Sequence, residues 1–290
     1  MSPKLGVLTQ HPPRPIEIPS RYTKGSERPG PLRISVVTPS YEHAAFLEAT
    51  LNSVLDQSYE PLEYLVQDGG STDGTGEILS RFSPRLAHCE SAPDQGQADA
   101  LNKAFGRARG DILAYLNSDD LFLPGSLDYV ARFFATNPDV DVVYGHRILI
   151  DGAGREIGRW VLPPHDADVL SWADYVPQET LFWRRSIWEK VGKRFDTTFR
   201  FALDWDLLLR FRDAGARFRR LPRFLGAFRV HPAQKTSAQM ETLGLHEMER
   251  LRTRALGRQV TQAEIVRHLR RYLLSHVVLH KLHRLGLIRY

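Results

Sequence analysis

Two adjacent acids follow an apolar run in Leu116-Asn117-Ser118-Asp119-Asp120. Buried, unpaired carboxylates are costly unless something positive binds them. A divalent cation bridging a diphosphate meets that need, since hard cations take oxygen ligands. The same spacing also fits a helix cap, with Asp120 ahead of Leu121 and Pro124. A second candidate is Asp68-Gly69-Gly70-Ser71-Thr72-Asp73-Gly74-Thr75, whose glycines permit tight turns and close backbone approach. Asp68 can accept from a base N–H or a ribose hydroxyl; the alternative is a plain turn with Asp73 or Thr75 capping a helix. A third is Ala202-Leu203-Asp204-Trp205-Asp206, where the two acids cannot share one helix face. One can face a cleft as a general base and the other solvent, or both can be first-turn acids favoured by the helix dipole. His231 ends Phe228-Arg229-Val230-His231 as a metal or phosphate ligand, or as an edge histidine with its bonds satisfied.

The elements that must hold these groups follow from periodicity. Ile34 to Thr38 is a β-branched run and reads as a buried strand. Leu47, Leu51, Val54 and Leu55 give one buried helical stripe. Tyr64–Val66 and Ile112–Leu116 read as strands, with helices marked by Ile78–Phe82, Ala100–Ala108 and Leu127–Phe134 and a further strand at Val142–Tyr144. Alternating strands and helices predict an α/β fold with a mostly parallel sheet, whose ligands sit at the carboxyl ends of the strands. The acids fall at those ends. Beyond residue 145 the pattern changes to a hairpin around Asp151-Gly152-Ala153-Gly154 and then to irregular strand and helix. The division is 1–31, a flexible proline-rich arm; 32–145, a nucleotide-binding half; 146–238, an acceptor half; and 239–290, two amphipathic helices. Leu269, Leu273, Val277, Leu279 and Leu282 form the apolar face of the second helix, with arginines opposite.

The chain has 290 residues, 42% hydrophobic and 25% charged, enough for a full core without staples. Cys89 stands alone, so an intrachain disulfide is excluded. No apolar segment is long enough to span a membrane, and the expectation is a cytoplasmic protein. Ten basic residues lie between Arg250 and Arg289. They suit an anionic partner or a solvated helix face. Zinc spacing and RNA-binding signatures are absent, which argues against nucleic acid.

Together, Ser35-Val36-Val37-Thr38-Pro39-Ser40-Tyr41, Asp68 to Thr75, Asp94-Gln95-Gly96-Gln97 with Asn102-Lys103, and Asn117-Ser118-Asp119-Asp120 resemble family 2 glycosyltransferases. The resemblance covers roughly residues 33–235 and implies the GT-A fold, a Rossmann-like sheet flanked by helices, with a helical extension. It implies that Pro39 and Tyr41 border the nucleotide and Asp68 holds the base. Asp94, Gln97 and Lys103 should approach nucleotide and donor, and Ser118 opens the acidic motif in place of Asp, a common form in this family. Asp119 is placed nearer ribose or donor sugar and Asp120 nearest a Mn2+ or Mg2+ ion, with His231 joining the metal or diphosphate. Asp204 is the implied catalytic base, and Gln178 and Glu179 border the acceptor. Gln67 replaces a second acid that many members carry, and the Gln-x-x-Arg-Trp signature of processive synthases is missing.

The activity so implied is inverting transfer of a single sugar, from a UDP-, GDP- or dTDP-linked donor to a saccharide or lipid-linked acceptor hydroxyl, in cell-surface polysaccharide or glycoconjugate synthesis. The alternative is a non-catalytic nucleotide-sugar-binding subunit. Residues 239–290 offer peripheral contact with the inner face of a membrane, or packing on the domain or a partner; the oligomeric state stays open.

Overall fold

The computed structural model describes residues 3–22, 30–232, 234 and 243–290. The chain first alternates β1 (Ile34–Ser40), α1 (Ala44–Leu55), β2 (Leu62–Asp68), α2 (Thr75–Phe82), β3 (His88–Ser91), α3 (Gln97–Phe105) and β4 (Ile112–Tyr115). Every residue of β1 is buried, as a strand covered on both faces requires. It pairs in parallel with β2 and β4, and β2 with β3. Successive side chains serve opposite layers. Ile34 and Val36 pack with α1 and α2, whereas Val37, Leu65 and Leu113 pack with α3.

The rest comprises β5 (Leu121–Phe122), α4 (Ser126–Thr136), β6 (Val142–Ile150), β7 (Glu156–Trp160), α5 (Ala167–Trp172), β8 (Phe182–Arg184), α6 (Arg185–Lys190), α7 (Leu203–Asp213), β9 (Phe218–Arg229), α8 (Leu245–Leu256) and α9 (Gln262–Arg284). Strand order across the sheet is β3-β2-β1-β4-β8-β6-β9-β5, with β7 against β6. The β6–β7 hairpin pairs Arg147 with Trp160, as the glycine-rich turn predicts. The sheet is parallel through the first half. It becomes mixed in the second, where β8 runs antiparallel to both β4 and β6 and β5 antiparallel to β9.

Residues 3–22, within the stretch read as a flexible arm, are packed along β7. Gln10 and Arg14 donate backbone N–H groups to Ile157 and Glu156. The Glu156 carboxylate is fully buried and bonds Arg14 and Arg159, which ties the arm down. The expectations for residues 1–2, 23–29 and 239–242 lie outside the described residues. Two helices end the chain as anticipated. The α9 face bearing Leu269, Leu273 and Val277 is half-buried, with Tyr272 and His276 fully so.

Candidate active site

The carboxyl ends of β1, β2 and β4 open into a cleft of about 810 Å³. Pro39, Tyr41, Asp94, Gln97, Ser118 and Asp119, each singled out in the sequence, line it. Arg200, Phe228 and Gln234 join them from the acceptor side, and His43 from the turn after β1. Tyr41 is 63% exposed, an open aromatic face at the rim.

Hydrogen bonds within and between the turns after β1 and β2 shape this side of the cleft. Asp68 is fully buried. Its Oδ2 accepts from the Gly70 and Ser71 N–H groups at 3.1 and 2.9 Å and from Ser91 Oγ at 2.6 Å. Its Oδ1 accepts from Ser71 Oγ at 2.6 Å. Asp68 therefore holds the turn, and the next residue, Gly69, forms the cleft wall; a Cβ there would come within 2.9 Å of an Asp94 carboxylate oxygen. Glu42 accepts from Thr72 N–H at 2.8 Å, and Asp73 accepts from Ala44 N–H at 2.8 Å and from Thr75 N–H at 3.1 Å. The turns after β1 and β2 are thereby stapled together, with Asp73 at the starts of α1 and α2. Lys103 does not reach the cleft lining. It pairs with Asp99 at 3.0 Å and supports the Pro93 carbonyl from behind.

The acidic pair divides differently from expectation. His43, Asp119 and His231 each offer one donor atom, all within 4.8 Å of one another. His231 Nε2 lies 3.0 Å from Asp119 Oδ2, and His43 Nδ1 lies 2.7 Å from Ser118 Oγ. Phe46 packs on the His231 ring at 4.7 Å and carries the Arg229 guanidinium on its face. Asp120, expected nearest a cation, is outside this cluster. Its Oδ1 accepts the Arg229 N–H at 2.9 Å, at the end of β9. Its Oδ2 is buried without a partner among the described residues. Burial first, then the charges of Asp119 and Glu179, push its carboxyl well above the ordinary range. Nor does Asp120 cap a helix, because β5 intervenes and Gly125 precedes α4.

A line of amides crosses from donor to acceptor side. Gln97 Nε2 donates to Asn117 Oδ1 at 2.7 Å, Asn117 Nδ2 to Gln178 Oε1 at 3.0 Å, and Gln178 Nε2 to the Tyr115 carbonyl at 2.7 Å. Gln178 thus orients Asn117 in the wall. Glu179 is not on the cleft surface. It is fully buried and bonds Arg147 through both oxygens, at 2.7 and 2.5 Å. The Arg147 guanidinium is in turn sandwiched by Trp160 and Phe228. Gly226 makes room, since a Cβ there would stand 2.5 Å from the Glu179 carbonyl oxygen.

Asp204 and Asp206 both begin α7, yet neither is a free solvent-facing acid. Asp206 is fully buried and bridges Arg210 at 2.8 Å and Arg254 at 2.7 Å. Asp204 is half-buried. Asp204 is not among the residues that line the cleft, but its charge reaches the buried Tyr115. Its hydroxyl is pushed up by burial and then by the charges of Asp204, Asp174, Asp120 and Glu179. Asp174 was not anticipated from the sequence. It keeps access to solvent, but the protein around it and the Asp204 charge push its carboxyl up.

A mixed sheet, an acid-and-histidine cluster at parallel strand ends and a cleft beside it define an α/β ligand-binding site. The glycosyl transferase family 2 profile matches residues 35–220, and the chain belongs to that family. It is 32% identical over 180 residues to a PGL/p-HBAD biosynthesis glycosyltransferase of Mycobacterium bovis, covering 61% of this chain and 68% of that protein. It is 31% identical over 179 residues to an uncharacterized glycosyltransferase of Nostoc sp., covering 55% of this chain but only 53% of the relative. The chain thus spans about half the length of the Nostoc protein. Among solved structures, it superposes on S. aureus TarS 1–349 in complex with UDP-GlcNAc with a TM-score of 0.63 at 20% identity, covering 84% of this chain and 72% of that one. The mannosyltransferase PcManGT of Pyrobaculum calidifontis, in complex with GDP-Man and Mn2+, gives 0.60 at 23% identity, covering 90% and 75%. These likenesses establish the GT-A fold.

Proposed function

We propose that this chain transfers a single sugar from a nucleotide-diphosphate donor to an acceptor hydroxyl with inversion, residues 32–145 holding the donor and 146–238 the acceptor. The observation that carries this is the His43, Asp119 and His231 cluster, two of whose members, His43 and Asp119, line a cleft of about 810 Å³ at the ends of parallel strands. UDP-GlcNAc in TarS and GDP-Man in PcManGT support a nucleotide-sugar donor. The mycobacterial relative's place in PGL/p-HBAD biosynthesis supports a biosynthetic role.

Asp204 takes the proton from the acceptor hydroxyl. That oxygen attacks the anomeric carbon while the bond to the diphosphate oxygen breaks on the opposite side. One displacement inverts the centre, and no covalent enzyme intermediate forms. The donor set of two imidazoles and one carboxylate fits a divalent transition ion such as Mn2+ better than Mg2+. Held by His43, Asp119 and His231, the ion would supply Lewis-acid stabilisation of the departing diphosphate. Tyr41 and Pro39 border the base, and Asp94 and Gln97 the donor. Asp204→Asn should lower transfer to a residual rate on the order of a thousandth of the parent's, while calorimetry shows donor binding within about twofold of the parent. Transfer at close to the parent's rate would overturn the assignment, as would loss of donor binding together with transfer. A non-catalytic binding subunit predicts donor binding without turnover in the parent itself.

We further propose that α9 contacts an anionic lipid surface beside the acceptor. From Ile265 to Tyr290 the chain has no acidic residue. The outer face of α9 presents Arg267, Arg271, Leu274, Val278, Lys281 and Leu285, all exposed and at helical spacing. Arginines interleaved with exposed aliphatics suit a charged interface over an oily layer. Like charges oppose pairing with a second copy. The full chain should sediment with phosphatidylglycerol vesicles but not with phosphatidylcholine vesicles. Both Leu274→Glu/Val278→Glu and Arg267→Gln/Arg271→Gln/Lys281→Gln should release it. Equal binding to both vesicle types would overturn the proposal, as would binding to DNA that competes with vesicles and survives Leu274→Glu/Val278→Glu.

A further inference from the structure

The C-terminal helices lie outside the segment that matches the family profile, yet α8 grips the chain on both sides of Asp204. Glu247, in the first turn of α8, is only 4% exposed. Its carboxylate accepts three consecutive backbone N–H groups, each at 2.9 Å: Arg200 at Oε1, and Phe201 and Ala202 at Oε2. These amides lead directly into α7, whose N-cap Ala202 has no side chain able to cap it. A buried carboxylate on three amides at a helix start is a charge-assisted cap, brought here from a distant helix. Asp204 stands two residues beyond the last of these amides.

The downstream side is held as well. Arg254 of α8 reaches Asp206 at 2.7 Å. Arg252 donates to the Trp172 carbonyl at 2.8 Å and lies over the Trp205 ring. Trp205 is fixed in turn by its indole N–H, which donates to the Leu170 carbonyl at 2.8 Å. The same loop carries Arg200 into the cleft lining. We propose that Glu247 is a positioning residue for Asp204, which makes the helical extension part of the catalytic unit. This rests on Asp204 being the base.

Removing the carboxylate frees the three amides and lets the start of α7 shift, and a shift of about 1 Å at a catalytic group can cost on the order of a hundredfold in rate. The experiment compares Glu247→Ala and Glu247→Gln in the full chain. Glutamine keeps one acceptor oxygen. In Glu247→Ala, kcat should fall on the order of a hundredfold, with KM and calorimetric Kd for the donor within about twofold of the parent. Glu247→Gln should recover part of that loss. Each change combined with Asp204→Asn should turn over no slower than Asp204→Asn alone, because the base through which Glu247 acts is already gone. A folded Glu247→Gln with the parent's kcat, beside a Glu247→Ala that loses rate and donor binding in proportion, would overturn the proposal. So would losses that multiply with Asp204→Asn. If Asp204→Asn itself transfers sugar at close to the parent's rate, it is the assignment of the base that fails, whatever the Glu247 variants do.

Discussion

In the donor half, the turns at the cleft are held by backbone N–H and hydroxyl donors within each turn or between adjacent turns: Asp68 bonds Gly70, Ser71 and Ser91, Asp73 bonds Thr75 and Ala44, and Glu42 bonds Thr72. In the acceptor half the equivalent work falls to buried charges paired across long stretches of chain. Arg147 finds Glu179, Asp206 finds Arg254, and Glu247 finds the amides before α7. The first arrangement is written into contiguous motifs and survives wherever the parallel strands form. The second exists only when the whole fold has closed, because an isolated buried charge is strongly disfavoured. The donor side should therefore tolerate local change gradually, while the acceptor side should fail abruptly when one partner is lost.

The candidate cation cluster draws on both halves, His43 and Asp119 from the donor side and His231 from the end of the acceptor half. Breaking it should give the largest effect. Asp119→Ala should remove calorimetric Mn2+ binding and lower kcat by on the order of a thousandfold, equivalent to about 4 kcal/mol of barrier. Asp120→Asn should leave Mn2+ affinity within a few fold, because Asp120 bonds Arg229 rather than the cluster. The reverse pattern in the two titrations would restore Asp120 as the ligand.

The acceptor half is tested next by Arg147→Met, which leaves the Glu179 carboxylate buried without its bidentate partner. Such losses cost about 3–4 kcal/mol, and replacing both partners with apolar side chains recovers most of it. Denaturant unfolding should show that deficit in Arg147→Met and a return towards the parent in Arg147→Met/Glu179→Met. In the donor half, Ser71→Ala removes a hydroxyl from Asp68 but leaves two backbone N–H groups on it, and should cost only about 1 kcal/mol. Equal costs in the two halves would erase the distinction drawn between them.

The same contrast explains what the sequence disclosed. The β-branched run at β1 and the apolar stripe of α1 carry their own periodicity, and the motifs from Pro39 to Ser118 fall at strand ends, so the donor wall was legible. β3 was not, because His88-Cys89-Glu90-Ser91 has no apolar pattern and is a strand only by pairing with β2. Two adjacent acids look alike in a sequence. Which one meets the histidines is decided by where β9 delivers the Arg229 N–H, 109 positions away. His43 gave one usable signal, its place in the turn after the first parallel strand, where ligands collect. Glu247 gave none, since the amides it holds are distant in the chain, and Asp174 lies in no motif. Glu179 looked like an acceptor contact only because nothing local reveals Arg147 behind it.

Acidification should separate the halves with the smallest of these effects. His276 is fully buried, with its Nδ1 2.9 Å from the Val161 carbonyl, so it joins α9 to the end of β7. Burial holds its pKa down to about 4, and the same cause holds His165 to about 4 beside Tyr175. A histidine whose pKa is depressed in the folded state favours the neutral form there. Its contribution is fully present above its unfolded value near 6.5 and is lost as pH falls from about 6.5 towards 4. For His276 the whole span is worth at most on the order of 3 kcal/mol. In the donor half, hydrogen bonds to Asp73 and Asp99 hold their carboxyls below the ordinary value, so their contributions persist until the pH drops below about 3.8. Asp120 and Asp174, with raised carboxyls, work in the opposite sense, so the informative quantity is a difference between variants. His276→Gln keeps an N–H for the Val161 carbonyl and removes the titration. Its Tm should fall less steeply than the parent's between pH 6.5 and 4.5, with hydrogen exchange showing α9 released before β1 and β2. Parallel Tm curves for the two proteins over that window would mean that His276 does not link the acceptor half to acid, and that its stability has another source.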